Sequence, residues 1–307
     1  MLASLKVLLD SVVDYAGLFP PAKLTMAEAI ANYAQYLCDR YNWMLGRFVL
    51  PASRLLEFEE ILAKLALTEE KTQQWSLSLI LSQNWQLELE QVKLWQERGR
   101  IAIASLEFPP LPPTEIEKVI PPLPNSVEAF CEIPFNADLQ AYFTILKNSP
   151  IAAKIRTGGI TAEAFPSTNQ LCEYIFAFAD AKIPFKATAG LHYLLPGKYR
   201  LTYEPDSQLA TMYGFLNVTL LTAFIYTQKF TQQQALNLLQ ETSINSFQFK
   251  PDSITWQQQQ LSILDIEKSR QFFRSFGSCS FQEPIADLIT YAFLPNTEAL
   301  EAGDTTV

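Results

Sequence analysis

AAKIRTGGITAEAFPSTNQLCEYIFAFADAKIPFKATAG, residues Ala152–Gly190, reads as one complete strand–helix–strand unit. An apolar run, Ala152 to Thr157, carries β-branched and small residues and stops at Gly158-Gly159. Ser167 then has the character of a helix N-cap, and an apolar-periodic segment follows to Ala181. A second apolar run, Phe185 to Ala189, stops at Gly190. Two short buried strands joined by a helix imply parallel pairing through a right-handed crossover.

The same alternation extends in both directions. Upstream, strands are expected around Asp14–Phe19, Gly46–Pro51, Ser76–Leu81, Ile101–Glu107 and Val127–Pro134. Thr25 with Glu28 forms a capping box for the first crossover helix, and the Pro-rich FPPLPPTEIEKVIPPLP leaves room for a short helix only. Downstream, an eighth strand is expected near Phe273–Phe276, with a closing helix from about Glu283 to Phe293. Eight such units predict a single (β/α)8 barrel over residues 1–295. A helical insert is expected at about 195–270, between strands seven and eight, with its apolar helix near Phe215–Tyr226 covering the mouth as a lid and Asn217 capping that helix or facing the mouth. The tail, 296–307, reads as disordered. An open doubly wound sheet is the alternative, and the first strand lacks the GxGxxG that usually follows in that fold.

Composition sets limits. The 307 residues exceed the roughly 250 that one barrel needs. A net charge of −9 argues against nucleic acid and anionic membranes as partners. No apolar run is long enough for a membrane span, and the start, MLASLKVLLDSVVDYAG, reads as an amphipathic helix rather than a signal peptide. Four scattered cysteines, Cys38, Cys131, Cys172 and Cys279, and one histidine do not make a zinc site, so reduced thiols in a cytoplasmic protein and no metal are expected.

Strand ends converge on one face of a barrel, and polar residues collect at the predicted ends. They include Asp14, Glu107, Glu132, Lys154, Arg156, Lys186, His192, Ser278 and Ser280. Lys154 and Lys186 are 186 − 154 = 32 residues apart, one β/α repeat, so both are expected to point towards one mouth. Mutual repulsion and burial are expected to lower at least one amine's pKa, and a free amine attacks carbonyls to give a Schiff base. A tight carboxylate pair would keep the proton on, and from the residues alone the two lysines serve equally well as fixed charges for an anion. Gly158, Gly159 and Gly190, with Ser278 and Ser280 before the last helix, suit a phosphate; tight turns and a Ser280 helix cap are the plainer alternative. His192 reads as a general base or a hydrogen-bonding loop residue, and Cys279 with His192 is a weak nucleophile pair.

KIRTGG, FKATAG and FGSCS resemble the three signature strands of deoxyribose-phosphate aldolases, and DYAGLFPPAKLTMAEA is similar to that family's opening segment. The resemblance is dense at three strands and thin elsewhere. It implies Lys154 as the Schiff-base lysine and Lys186 as its electrostatic partner. Glu107 would work with water in proton transfer, where that family has Asp. Gly190, Ser278 and Ser280 would hold a phosphate. Arg156 stands where that family has a small residue. With GLHYLL and YGFLN, the motifs resemble more closely an uncharacterised bacterial family of class I aldolase-type barrels.

The expected function is therefore a class I, Schiff-base lyase acting on a small carbonyl compound, phosphorylated or not, without a cofactor. Lys154, Lys186 and Glu107 would be catalytic; Asp14, Arg156, Gly158, Gly159, Gly190, His192, Ser278 and Ser280 would bind substrate. The alternatives are a metabolite-binding isomerase or sensor without imine chemistry, and a non-catalytic partner protein using the insert and Gln257–Gln260 as its surface. A homo-oligomer is left open.

Overall fold

The computed structural model describes residues 1–64, 75–97, 101–227 and 230–295. The expected tail lies outside the described residues. Eight parallel strands close into a barrel: β1 (Val13–Tyr15), β2 (Leu45–Pro51), β3 (Ser76–Ile80), β4 (Ala102–Phe108), β5 (Glu128–Glu132), β6 (Ile151–Arg156), β7 (Phe185–Thr188) and, completing the ring between β7 and β1, β13 (Phe273–Ser278). No barrel strand is left with a free edge, so the open-sheet alternative does not hold.

Helices alternate with these strands: α1 (Ala3–Leu9) precedes β1, and α2 (Met26–Leu37), α3 (Leu55–Lys64), α4 (Trp85–Glu97), α5 (Pro113–Val119), α6 (Leu139–Leu146) and α7 (Thr168–Ala181) follow β1 to β6 in turn. Their starts are written locally. Thr25 with Glu28 and Ser167 with Gln170 form capping boxes, each satisfying backbone N–H groups that the first turn leaves open. Pro113 begins α5, where a missing N–H is harmless. The start of the chain is helical only to Leu9; the rest of that amphipathic pattern becomes β1 and its lead-in.

Between β7 and β13 the chain is mixed rather than helical alone. A hairpin, β8 (Gly197–Arg200) and β9 (Leu209–Met212), comes first; α8 (Phe215–Thr227) and α9 (Gln232–Leu239) follow. An antiparallel sheet, β10 (Phe247–Lys250), β11 (Ser253–Trp256) and β12 (Gln259–Ser262), leads into α10 (Ile263–Arg270), and α11 (Gln282–Thr290) follows β13. The apolar α8 is not the lid that the sequence suggests. It packs against α7, α9 and α10 in the outer layer, and its residues Phe215 to Phe224 are buried. A helix apolar on every side is stable only where protein surrounds it. Asn217 does not face the mouth: its Nδ2 donates to Leu238 O at 2.7 Å and Glu241 O at 2.9 Å, satisfying carbonyls at the end of α9. The β10–β12 sheet meets α1, with Ser4 donating to the backbone of Lys250 and Pro251.

Candidate active site

A cleft of about 400 Å³ opens at the C-terminal ends of the barrel strands, with Glu107, Glu132, Lys154, Arg156, Lys186 and His192 on its walls. Lys154 and Lys186 are register partners on β6 and β7, and Glu132 on β5 is the register partner of Lys154. Residues paired this way project to the same side of the sheet, so the expected convergence occurs.

Lys186 is 1% exposed and sits between two carboxylates, Asp14 Oδ2 at 2.5 Å and Glu107 Oε1 at 2.8 Å. Its ammonium also lies 5.2 Å from the Phe130 ring centroid. Burial pushes its pKa down, but the charges of Asp14 and Glu107 more than reverse this and hold it above the ordinary lysine value. For Lys186 the expected lowering is thus overturned, because the opposite charges are nearer than any like charge.

Glu107 is the bridge of the cluster. Burial alone would raise its pKa; Lys186 and Lys154 outweigh that and bring it well below the usual carboxylate range. Its Oε1 also accepts from Ser78, whose own oxygen accepts from Ser105. Asp14 behaves likewise: burial is outweighed by Lys186 and Arg47, and it accepts from Ser275 and the Arg47 backbone. Asp14 does not line the cleft. It stands behind Lys186 and borders a cavity at the N-terminal end of the barrel.

Lys154 is 3% exposed, and its pairs are longer: Glu107 Oε2 at 3.3 Å and Glu132 Oε2 at 3.0 Å. Glu132 also meets Arg156 at 3.4 Å, and the Arg156 side chain is half exposed at the rim. Three carboxylates, Asp14, Glu107 and Glu132, therefore face two buried lysines, Lys154 and Lys186, and the half-exposed Arg156.

The glycines and serines meet the mouth in different ways, with Gly159 and Gly190 both bordering the hollow beside the cleft. Gly190, at φ +78°, follows Ala189 at φ +61°, and a Cβ there would come within 2.8 Å of the Gly158 Cα. This pair of glycines allows the ends of β6 and β7 to approach, while Gly159 borders the cleft. Ser278 is buried, its hydroxyl 3.2 Å from His192 Nδ1. Ser280 accepts from the Glu283 N–H and so works as a cap at the start of α11.

His192 stands where the cleft joins a second hollow of about 470 Å³, bordered by Tyr193, Lys198, Arg200 and Tyr203 of the hairpin region. Its Nδ1 lies 2.8 Å from Glu283 Oε2. Burial lowers its pKa, but hydrogen bonding to Cys279 and Glu283 raises it to about 9, so the ring is an imidazolium at neutral pH. Glu283 and Tyr203 were not foreseen; an acid in the first turn of the last helix was the only trace of Glu283.

Among the described residues no cluster of His, Cys, Asp and Glu could hold a metal, and no helix is long and apolar enough to cross a membrane. No protein-family model, curated protein or solved structure matches the chain.

Proposed function

We propose that this barrel is a class I aldolase-like lyase in which Lys154 forms a Schiff base with a small carbonyl compound. The observation that carries the reading is the division of labour between the lysines. Lys186 is locked between Asp14 and Glu107, while Lys154 reaches the cleft on longer contacts to Glu107 and Glu132.

The free amine of Lys154 would add to the carbonyl carbon, and loss of water would leave an iminium on the same nitrogen. That iminium keeps the positive charge, so Glu107 and Glu132 that hold the ammonium would also hold the intermediate. In the cleavage direction the electrons of the breaking C–C bond would pass into the iminium to give an enamine. The proton of the β-hydroxyl would go to a base as the aldehyde leaves. Glu107 is a poor base, being saturated by Lys186, Lys154 and Ser78. Glu132 is better placed to relay that proton. Half-exposed Arg156 would hold a phosphate or carboxylate of the substrate.

A second reading is favoured by the ion pairs themselves: a barrel that binds an anionic metabolite as isomerase or sensor, with both lysines permanently charged. Borohydride trapping with a panel of small aldehydes and ketones separates the two. Labelling of Lys154 in wild type, lost in Lys154→Arg, supports the lyase. An unlabelled protein whose Tm rises with phosphorylated or carboxylated metabolites supports the second reading.

A further inference from the structure

The cysteines differ in their surroundings. Cys131, Cys172 and Cys279 are all buried, burial pushing the first two thiols up to about 12, and Cys38 is exposed. Cys279 follows β13 directly and lines the same cleft as Lys154 and His192. Its thiol is a hydrogen-bond neighbour of the His192 imidazole, and the Tyr203 hydroxyl lies 3.5 Å from its sulfur. Glu283 engages the same ring at Nδ1, at 2.8 Å, and the Ser278 hydroxyl approaches that nitrogen at 3.2 Å.

A thiol, an imidazole and a carboxylate orienting that imidazole are the parts of an activated nucleophile. They come from three segments: the end of β13, the loop after β7 and the first turn of α11. Buried structural cysteines are inert, whereas a thiol beside an imidazolium ionises readily. The groups facing His192 are Cys279 and Ser278 from the β13 end, Glu283 from α11 and Tyr203 from the hairpin, with Asp287 farther along α11. Lys154, Arg156 and Lys186 line the cleft on its other side, and Lys198 and Arg200 line the adjoining hollow.

We propose that Cys279 is a second nucleophile of this mouth, activated by His192 and Glu283, that adds reversibly to the carbonyl carbon of a small aldehyde. The proton of the pair already rests on the His192 imidazolium, and sulfur reacts as its thiolate partner. Sulfur forms an S–C bond as the carbonyl π pair moves to oxygen, and the imidazolium passes its proton to that oxygen. The product is a thiohemiacetal; nothing is oxidised or reduced and no group leaves. The addition does not depend on an imine at Lys154.

The test is limited alkylation of the folded full chain by iodoacetamide between pH 5 and 9, with all four cysteine peptides followed by mass. Cys279 is expected to label about tenfold faster than exposed Cys38 at pH 6. His192→Asn and Glu283→Gln should slow it to the Cys38 rate or below. Glycolaldehyde should slow labelling of Cys279, but not of Cys38, in both wild type and Lys154→Arg. Labelling of Cys279 that parallels or trails Cys38 with pH would overturn the proposal. Protection by glycolaldehyde in wild type but not in Lys154→Arg would also overturn it, while leaving the imine intact. Misfolding of a variant would show as labelling of buried Cys131 and Cys172, and the wild-type pH profile with the aldehyde protection then decides.

Discussion

Lys154 and Lys186 face each other across the β6–β7 register, and their amines share one carboxylate. Glu107 offers Oε1 to Lys186 at 2.8 Å and Oε2 to Lys154 at 3.3 Å. The like charges are thereby separated, and each lysine has a second carboxylate that the other lysine does not pair with, Asp14 for Lys186 and Glu132 for Lys154. Lys186→Met leaves Asp14 and part of Glu107 uncompensated in the barrel interior. Breaking a buried pair by removing one side costs about 3–5 kcal/mol. Urea unfolding at pH 7 should show that loss, and Lys154→Met should lose less, because Glu132 keeps Arg156.

The same pairs set the acid limb of stability. Asp14 and Glu107 both have lowered pKa values in the folded state. Their contribution is complete above the unfolded carboxylate values of about 4, and it is lost as pH falls through the lower folded values. Wild type should lose stability steeply below about pH 4. A matching slope in Lys186→Met, measured by urea midpoints against pH, would show that the pairs are not its source.

Glu132 tunes Lys154 in the proposed reaction. Its carboxylate pairs with the amine at 3.0 Å, and an amine held in an ion pair is not free to attack a carbonyl. Glu132→Gln removes that pair, so reductive trapping at pH 7 should start about threefold to tenfold faster. If Glu132 is also the proton relay, turnover falls while trapping rises. Trapping that slows in parallel with turnover would remove Glu132 from the relay and assign it to holding Lys154 in place.

The barrel was legible because short apolar strands and helix caps recur along the chain, and one-repeat spacing placed Lys154 beside Lys186. Their partners were less legible. Asp14 reaches Lys186 across 172 residues, a contact created by ring closure that local pattern does not encode. The region between β7 and β13 misled for a different reason. The largely apolar α8 is compatible with a lid or a buried helix, and only its neighbours α7, α9 and α10 decide. Four-residue strands such as Phe247–Lys250 and Gln259–Ser262 are too short to stand out from their glutamines. The Cys279–His192–Glu283 group was half visible, since Glu283 acquires its role only when α11 folds against the loop after β7.

Two glycines at the mouth should respond differently to alanine. Gly190 combines φ +78° with a Cβ position 2.8 Å from the Gly158 Cα and 2.9 Å from Thr157 O, so backbone would have to move. Gly190→Ala should cost about 2 kcal/mol or more. At Gly277 the nearest atom is Thr188 Oγ1 at 3.4 Å, an ordinary contact, and the backbone is not left-handed. Gly277→Ala should change stability by no more than about 0.5 kcal/mol, although it borders the cleft. Equal losses in the two variants, by thermal or urea unfolding, would contradict this account.

His192 gives the alkaline side its own signature. Burial lowers its pKa, and contacts with Cys279 and Glu283 raise it further than burial lowers it, to about 9 in the folded protein. An unfolded histidine titrates near 6.5. The folded state therefore binds the proton more tightly. The stabilisation is fully present below about pH 6.5 and is lost as pH rises through about 9. Each tenfold gain in proton affinity is worth roughly 1.4 kcal/mol, so the window carries up to about 3 kcal/mol. Urea midpoints of wild type should fall between pH 7 and 9.5, and those of His192→Asn should stay nearly level across the same range. Glu283→Gln should shorten the window from its upper end, because one of the two groups holding the proton is gone. An equal alkaline fall in wild type and His192→Asn would place the titration elsewhere and remove the imidazolium from the mouth at neutral pH.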